Sequence, residues 1–233
     1  MKIRVGTLCS GYDSQCMALD RLKEHFPDFD YELVFWSEID KYAIQAHNAV
    51  YPQWADRNLG DMTKIDWSKV EPIDLLTYST PCQSISNAGL QHGFTEGSGT
   101  RSSIIWNVRD AVKALHPKYL MLENVKAMVE EKFLPMFNLW RTELVRLGYD
   151  NYAQVLNAKD YGIPQNRERI FLISIRHDGH PTSYHFPEPF KLDLRLKDVL
   201  EQNVDEKYYL SEHTIKMFND HQKRSEEAGN GFG

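Results

Sequence analysis

Along the chain, short apolar runs alternate with segments whose apolar residues recur at three- and four-residue spacing. A continuous apolar run buries as a strand, whereas the three-to-four spacing puts side chains on one face of a helix. Ile3 to Leu8 is the first run. It ends at Cys9-Ser10-Gly11, which predicts a buried strand entering a tight turn. After Tyr12, residues Cys16, Leu19 and Leu22 keep helical spacing. Glu32 to Trp36 reads as a second strand, and Lys41 to Val50 as a helix that stops before Pro52. Pro72 to Tyr78 contains IDLLTY, a third strand. Ile104, Ile105, Val108, Ala111, Val112 and Leu115 form an apolar stripe closed by His116-Pro117, and Lys118 to Leu122 predicts a fourth strand. Phe133, Met136, Phe137, Trp140, Leu144 and Leu147 form the next stripe, with Pro135 early in its helix and Gly148 past its end. Tyr152 to Leu156 and Arg169 to Ile175 are two strands with no helix between them.

Strands alternating with helices predict an α/β fold: a mostly parallel sheet, helices on both faces and an antiparallel pair at one edge. Ligands of such sheets bind outside the carboxyl ends of the strands, so the informative residues are those just after each strand. Beyond Arg176 the character changes. HDGHPTSYHFPEPF reads as a loop, a weaker helix is expected over Leu196 to Leu200, and KRSEEAGNGFG is polar and glycine-rich.

Composition narrows the class. With 233 residues, 42% hydrophobic and 26% charged, the chain has apolar content enough for a core, and its length suits one large domain with room for the start of a second. No window approaches the ~20 apolar residues of a membrane helix, and the first residues carry no secretory pattern, so the cytoplasm is the expected location. Lys and Arg number 27 against 33 Asp and Glu, a net charge of −6. This excludes nucleic-acid binding by bulk charge but not a local basic groove. Cys9, Cys16 and Cys82 are odd in number and widely spaced, without a CxxC pair, and the nine histidines form no ligand cluster. Neither a disulfide framework nor a metal site is expected.

The residues after the strands carry the candidate chemistry. Gly11 allows close approach of backbone to a ligand, or simply makes a turn. Glu38, past the second strand, can accept from ribose hydroxyls or complement a helix N-terminus. Asp61 can accept from an adenine amino group or serve a turn. Thr80-Pro81-Cys82-Gln83 follows IDLLTY, so a thiol stands at the strand's carboxyl edge. There a thiolate suits addition to an electron-poor ring, while elsewhere a free cysteine is a small buried hydrophobe. The polar, glycine-rich stretch Ser84 to Ser103 reads as a lid or a disordered loop. Glu123, after the fourth strand, can donate a hydrogen bond when protonated beside a thiol, or cap a turn. Arg167 and Arg169, two apart on an extended segment, face the same side and can grip phosphate or form a solvated turn.

Taken in order, TLCSGYDS, WSEID, GDMT, STPCQSIS, MLENV and YGIPQNRERIF resemble the cytosine-C5 DNA methyltransferases over roughly residues 3 to 176. The first glycine loop departs from the family pattern, with Ser10-Gly11-Tyr12-Asp13 in place of a richer glycine sequence. The resemblance implies a Rossmann-like methyltransferase fold with an antiparallel edge strand. It implies S-adenosylmethionine as methyl donor and a cytosine flipped out of double-stranded DNA as acceptor. Cys82 is then the nucleophile toward C6 of the ring and Glu123 the partner of N3. Arg167 orients the base or the Glu123–Cys82 arrangement, and Arg169 contacts the base or a flanking phosphate. Asn124 buttresses the cysteine loop. The cofactor site implied is Leu8, Ser10, Gly11, Glu38, Ile39, Asp61 and Pro81.

The family continues into a variable recognition region and closing motifs. Here residues 1–185 are expected as the catalytic domain and 186–233 as a partial recognition region, with Gly229-Asn230-Gly231-Phe232-Gly233 resembling a point inside it. Three explanations compete: half of a split enzyme completed by a second polypeptide, a shortened chain, and a minimal variant that closes its pocket by dimerisation; incompleteness is the expectation, with a missing wall that leaves apolar sheet surface exposed. Three alternatives stand beside this reading: the same chemistry on RNA, a catalytic half of a split enzyme, and a non-catalytic homologue that binds DNA or cofactor. A thiol hydrolase lacks a histidine partner, since His92 lies in the long loop.

Overall fold

In the computed structural model, which describes residues 2–85 and 92–227, strands β1 (Lys2–Leu8), β2 (Asp30–Ser37), β3 (Leu75–Tyr78), β4 (Tyr119–Val125), β5 (Tyr149–Asn157) and β6 (Glu168–Arg176) join in one sheet. Their order is β2-β1-β3-β4-β6-β5. The first four run parallel, and β6 is antiparallel to both β4 and β5. The expected edge pair is therefore present, with the reversed strand β6 one place in from the rim. The chain divides into two compact units, residues 1–192 and 193–233.

Helices α1 (Ser14–His25), α2 (Lys41–Val50), α3 (Ile105–Leu115) and α4 (Leu134–Arg146) belong to the first unit. Val108, Val112 and Leu115 of α3 and Phe137, Trp140 and Leu144 of α4 pack with Leu8, Leu76, Leu122 and Leu172 of the sheet in one core. On the other face Cys16 and Leu19 of α1 and Tyr51 after α2 pack with Val5, Leu33 and Trp36. Leu22, expected on the same apolar stripe, is exposed.

One irregularity in β2 decides which residues face which layer. Val5 pairs with Leu33, but Gly6 pairs with Phe35, leaving Val34 as an extra residue. A bulge interrupts strict alternation. Leu33 and Trp36 consequently face α1, while Val34 and Phe35 face the α3 side. Phe35 lies over Gly6, where a Cβ would stand 2.6 Å from its Cε1.

The segment after β6 is tied to the first unit. Tyr152 Oη donates to the Thr182 carbonyl at 2.6 Å, Tyr161 Oη to that of Pro187 at 2.9 Å, and the Phe190 N–H to that of Asp160 at 3.0 Å. This compact unit thus takes in residues 186–192 as well.

In the second unit the expected helix at Leu196–Leu200 is a short 3-10 turn, Leu196–Val199. A longer helix outside the expected elements, α5, spans Glu212–Glu227. Ser211 Oγ accepts from the Thr214 N–H at 3.2 Å at its start, an N-cap bond. Among the described residues no helix is long and apolar enough to cross a membrane. The glycine-rich run from Gly229 and the middle of the long loop, residues 86–91, lie outside the described residues.

Candidate active site

The carboxyl ends of β1, β2, β3 and β4 meet at one edge of the sheet, and three cavities adjoin there with Ser79 in the wall of each. One, of about 160 Å³, is lined by Pro81, Cys82, Glu123, Arg167 and Arg169 among others. The four residues expected to carry the chemistry thus share one cavity, although they come from three separate stretches of chain.

Each is placed by a local cause. Strand β4 runs three residues further than the apolar run suggests, to Val125. Glu123 and Asn124 therefore belong to the strand and point to opposite faces. Both residues line the cavity, and Asn124, 2% exposed, donates from Nδ2 to the Thr80 carbonyl at 3.0 Å. That bond ties β4 to the loop before Cys82. Antiparallel pairing sets Val125 against Arg169 and Glu123 against Phe171, so Arg169 is the diagonal neighbour of Glu123. Arg169 Nε stands 3.1 Å from Glu123 Oε1, and Arg167 Nη2 is 4.0 Å from the same oxygen. The Arg167 backbone is held by Asn157, whose Oδ1 accepts its N–H at 3.0 Å.

Cys82 is half-buried, and its carbonyl accepts the Ile85 N–H at 3.0 Å, closing a turn. The long polar stretch after it is not one free loop in its second half. Phe94 is fully buried, Trp106 Nε1 donates to the Phe94 carbonyl at 2.8 Å, and Arg109 pairs with Glu96 at 2.7 Å. These anchors, together with Ser102 Oγ bonded to the Pro81 carbonyl at 2.6 Å, are partners the sequence did not disclose. Ser102 and Phe94 could have been suspected only from their place beside a core helix.

The two neighbouring cavities collect the residues expected to hold a cofactor. One of about 210 Å³ is lined by Glu38, Ile39, Asp61 and Pro81, the other of about 610 Å³ by Ser10 and Gly11, and Cys9 belongs to both. Gly11 has φ +59°, a left-handed backbone suited to glycine, and its N–H donates to Glu38 Oε2 at 3.0 Å. Glu38 Oε1 accepts the N–H groups of Ile39 at 2.7 Å and Asp40 at 2.9 Å. Glu38 thereby ties the first loop to the start of α2. Asp61 accepts from the hydroxyl and N–H of Thr63, and these bonds hold its carboxyl below the usual range. Burial and the nearby Glu38 and Asp61 carboxylates push the Cys9 thiol up to about 12. Leu8 differs from the rest: its side chain is fully buried in the core and lines none of the three cavities, and its carbonyl accepts the Ser79 N–H at 3.3 Å.

This constellation coincides with a match over nearly the whole chain. Residues 3–233 match the family described as C-5 cytosine-specific DNA methylase. The chain belongs to that family. A type II methyltransferase of Lactococcus lactis subsp. cremoris, M2.ScrFI, is 42% identical over 197 residues, covering 84% of this chain and 54% of the relative. The orphan methyltransferase M.Rho11sI of Bacillus phage rho11s is 34% identical, over 97% of this chain and 49% of its own. The chain spans about half the length of these curated relatives. Among solved structures, the methyltransferase EhMeth of Entamoeba histolytica superposes with a TM-score of 0.74 at 18% identity, covering 92% of this chain and 65% of that one. At that identity the likeness shows the fold, Rossmann-like as expected. In this C-5 methylase chain, then, the cluster at the sheet edge comes from segments the family pattern had singled out by sequence.

Proposed function

We propose that this protein transfers a methyl group from S-adenosylmethionine to C5 of a cytosine flipped out of double-stranded DNA. The observation that carries the reading is the shared cavity of Cys82, Glu123, Arg167 and Arg169, adjoining the cavity of Glu38 and Asp61.

The residues at the larger cavities fit the cofactor. Two carboxylates stand beside apolar Ile39 and Pro81, a set suited to a nucleoside. Ser10 Oγ is buried and makes no hydrogen bond among the described residues, so a polar partner is wanting at that wall. When bound, S-adenosylmethionine would supply an electrophilic methyl carbon, with its sulfur leaving as a neutral thioether. Glu38 and Asp61 would hold the nucleoside, and Ser10 and Gly11 the remainder.

Cytosine C5 is a poor nucleophile until C6 is attacked. The Cys82 thiolate forms an S–C6 bond, and the ring π electrons move toward C5 and N3. Glu123 hydrogen-bonds N3, stabilising the charge that enters the ring. After C5 is methylated, a base removes its proton, the C5=C6 bond re-forms and the thiolate is expelled. Splitting one hard step into two is the general advantage of covalent catalysis. Arg169 and Arg167 hold the Glu123 carboxyl and offer cations to the base or a phosphate.

Other parts of the reading rest on sequence. We assign residues 1–185 to catalysis and 186–233 to the start of a recognition region. We keep a second polypeptide or a second copy as the element completing that region and the cofactor pocket; partly exposed Met121 and Phe171 in the wall of the 610 Å³ cavity favour it. Because the substrate is DNA, we keep the cytoplasm as the location. The test is a mixed-sequence duplex in which every cytosine is 5-fluorocytosine, incubated with cofactor and the full-length protein. Fluorine cannot leave as a proton does, so the Cys82 adduct should accumulate and be found on the Cys82 peptide. No adduct, or an equal one in Cys82→Ser, overturns the reading.

A further inference from the structure

The segment Thr100-Arg101-Ser102-Ser103 reads as polar linker, yet Ser102 is 1% exposed. A serine hydroxyl carries one donor and two acceptor sites. Ser102 uses both kinds on one turn: Oγ donates to the Pro81 carbonyl at 2.6 Å and accepts the Ser84 N–H at 3.2 Å. These groups flank Cys82 on either side. The Ile85 N–H closes the same turn on the Cys82 carbonyl, and Asn124 Nδ2 donates to the Thr80 carbonyl.

Ser102 has a firm base. It sits in the 3-10 turn Arg101–Ile104 that leads into α3, whose Ile105 and Val108 are fully buried. Ser84 is held on its other side, where its carbonyl accepts the Gly93 N–H at 2.8 Å, and Thr100 Oγ1 donates to the Gly93 carbonyl at 2.9 Å. Ser102 lines none of the three cavities, so it meets neither the proposed base nor the proposed cofactor.

We propose that Ser102 is a positioning residue for the Cys82 thiol: its single hydroxyl fixes both flanks of the turn and so sets the direction in which the sulfur points. The inference rests on Cys82 being the nucleophile. Misplacing a reacting atom by about 1 Å can cost ~100-fold in rate, so losing both bonds should act on the attack step. A purely structural serine would instead lower stability and leave the attack rate of the folded protein alone.

The experiment measures adduct formation with the 5-fluorocytosine duplex at saturating DNA, and cofactor Kd by calorimetry, in the full-length protein. Ser102→Ala should slow trapping roughly 10- to 100-fold, leave cofactor Kd within about twofold, and speed amide exchange at Ser84. Ser102→Thr, which keeps the hydroxyl, should recover most of the rate. Should Ser102→Ala not fold, Ser102→Cys keeps the size with a weak donor and should show the same slowing. A wild-type trapping rate in the folded Ala or Cys variant overturns the Ser102 role alone. So does an equal loss of cofactor affinity. Absence of an adduct in the unsubstituted protein overturns the Cys82 reading and Ser102 with it.

Discussion

Arg169 Nε lies 3.1 Å from Glu123 Oε1, across the antiparallel pair β4–β6. Both side chains are about a quarter exposed, 24% and 26%, while Arg167 is 47% exposed and 4.0 Å from the same oxygen. Shielded contacts at hydrogen-bond distance orient a carboxyl more firmly than longer, wetter ones. Arg169→Ala should therefore slow adduct formation by about 10- to 100-fold and Arg167→Ala by less than ~10-fold. Trapping rates at saturating 5-fluorocytosine DNA give the order, and the reverse order would contradict the assignment of Arg169 as the principal partner.

A second prediction concerns the bulge of β2. Any side chain at Gly6 meets Phe35 and, at 3.0 Å, Ile73 Cδ1. Both partners are buried. Overpacking of this kind typically costs about 1–3 kcal/mol. Urea unfolding should show that loss for Gly6→Ala, and Phe35→Leu in the same chain should recover part of it, because the two sites share one contact. Strict additivity of the two changes would show that Gly6 is not there for Phe35.

These cases mark how far sequence carried. The strands at Ile3–Leu8 and IDLLTY and the stripes through Val108 and Phe137 were legible, because a local apolar period is enough to specify them. The grouping of Cys82, Glu123, Arg167 and Arg169 was legible only through the family resemblance, since it depends on β4 and β6 becoming neighbours. Three features left no local signal. The extra residue Val34 has meaning only against the register of β1. Ser102 looks like linker until α3 is docked. Helix α5 is rich in charge, and its large apolar residues, Ile215, Met217 and Phe218, are confined to its first half. Leu8 shows the converse: its neighbours line cavities, but strand alternation turns its own side chain into the core.

The cysteines should differ sharply in reactivity. Burial, and then Glu38 and Asp61, push Cys9 up to about 12, and burial with Asp13 raises Cys16. At pH 8 a thiol with pKa near 12 is ionised to roughly one part in ten thousand. Iodoacetamide should therefore modify half-buried Cys82 first, with Cys9 reacting faster as pH rises toward 12. Glu38→Gln removes one of the negative charges that hold the Cys9 proton, so it should speed Cys9 labelling at fixed pH. Peptide mass spectrometry reads all three sites, and early labelling of Cys9 at pH 8 would contradict the electrostatic argument.

The last prediction comes from the glycine loop's departure from the family pattern. Asp13 has φ 66° and ψ 55°, a left-handed backbone that aspartate tolerates better than most residues. It is fully buried, its Oδ2 accepts the Thr7 hydroxyl at 2.9 Å, and His47 Nε2 stands 3.6 Å away. His47 in turn stacks on Trp36 with ring centres 3.7 Å apart. The side chain thus links the loop of Ser10 and Gly11 to α2. Asp13→Gly keeps the backbone but leaves the buried Thr7 hydroxyl without its acceptor, a loss of about 1–3 kcal/mol. Asp13→Ala adds the left-handed penalty of about 1–2 kcal/mol. Asp13→Asn keeps both the acceptor and the backbone tolerance and should lie nearest wild type. Urea unfolding should rank the chains wild type, Asn, Gly, Ala. A glycine variant as stable as wild type would mean that only the backbone angle matters at this position and that the carboxylate is incidental.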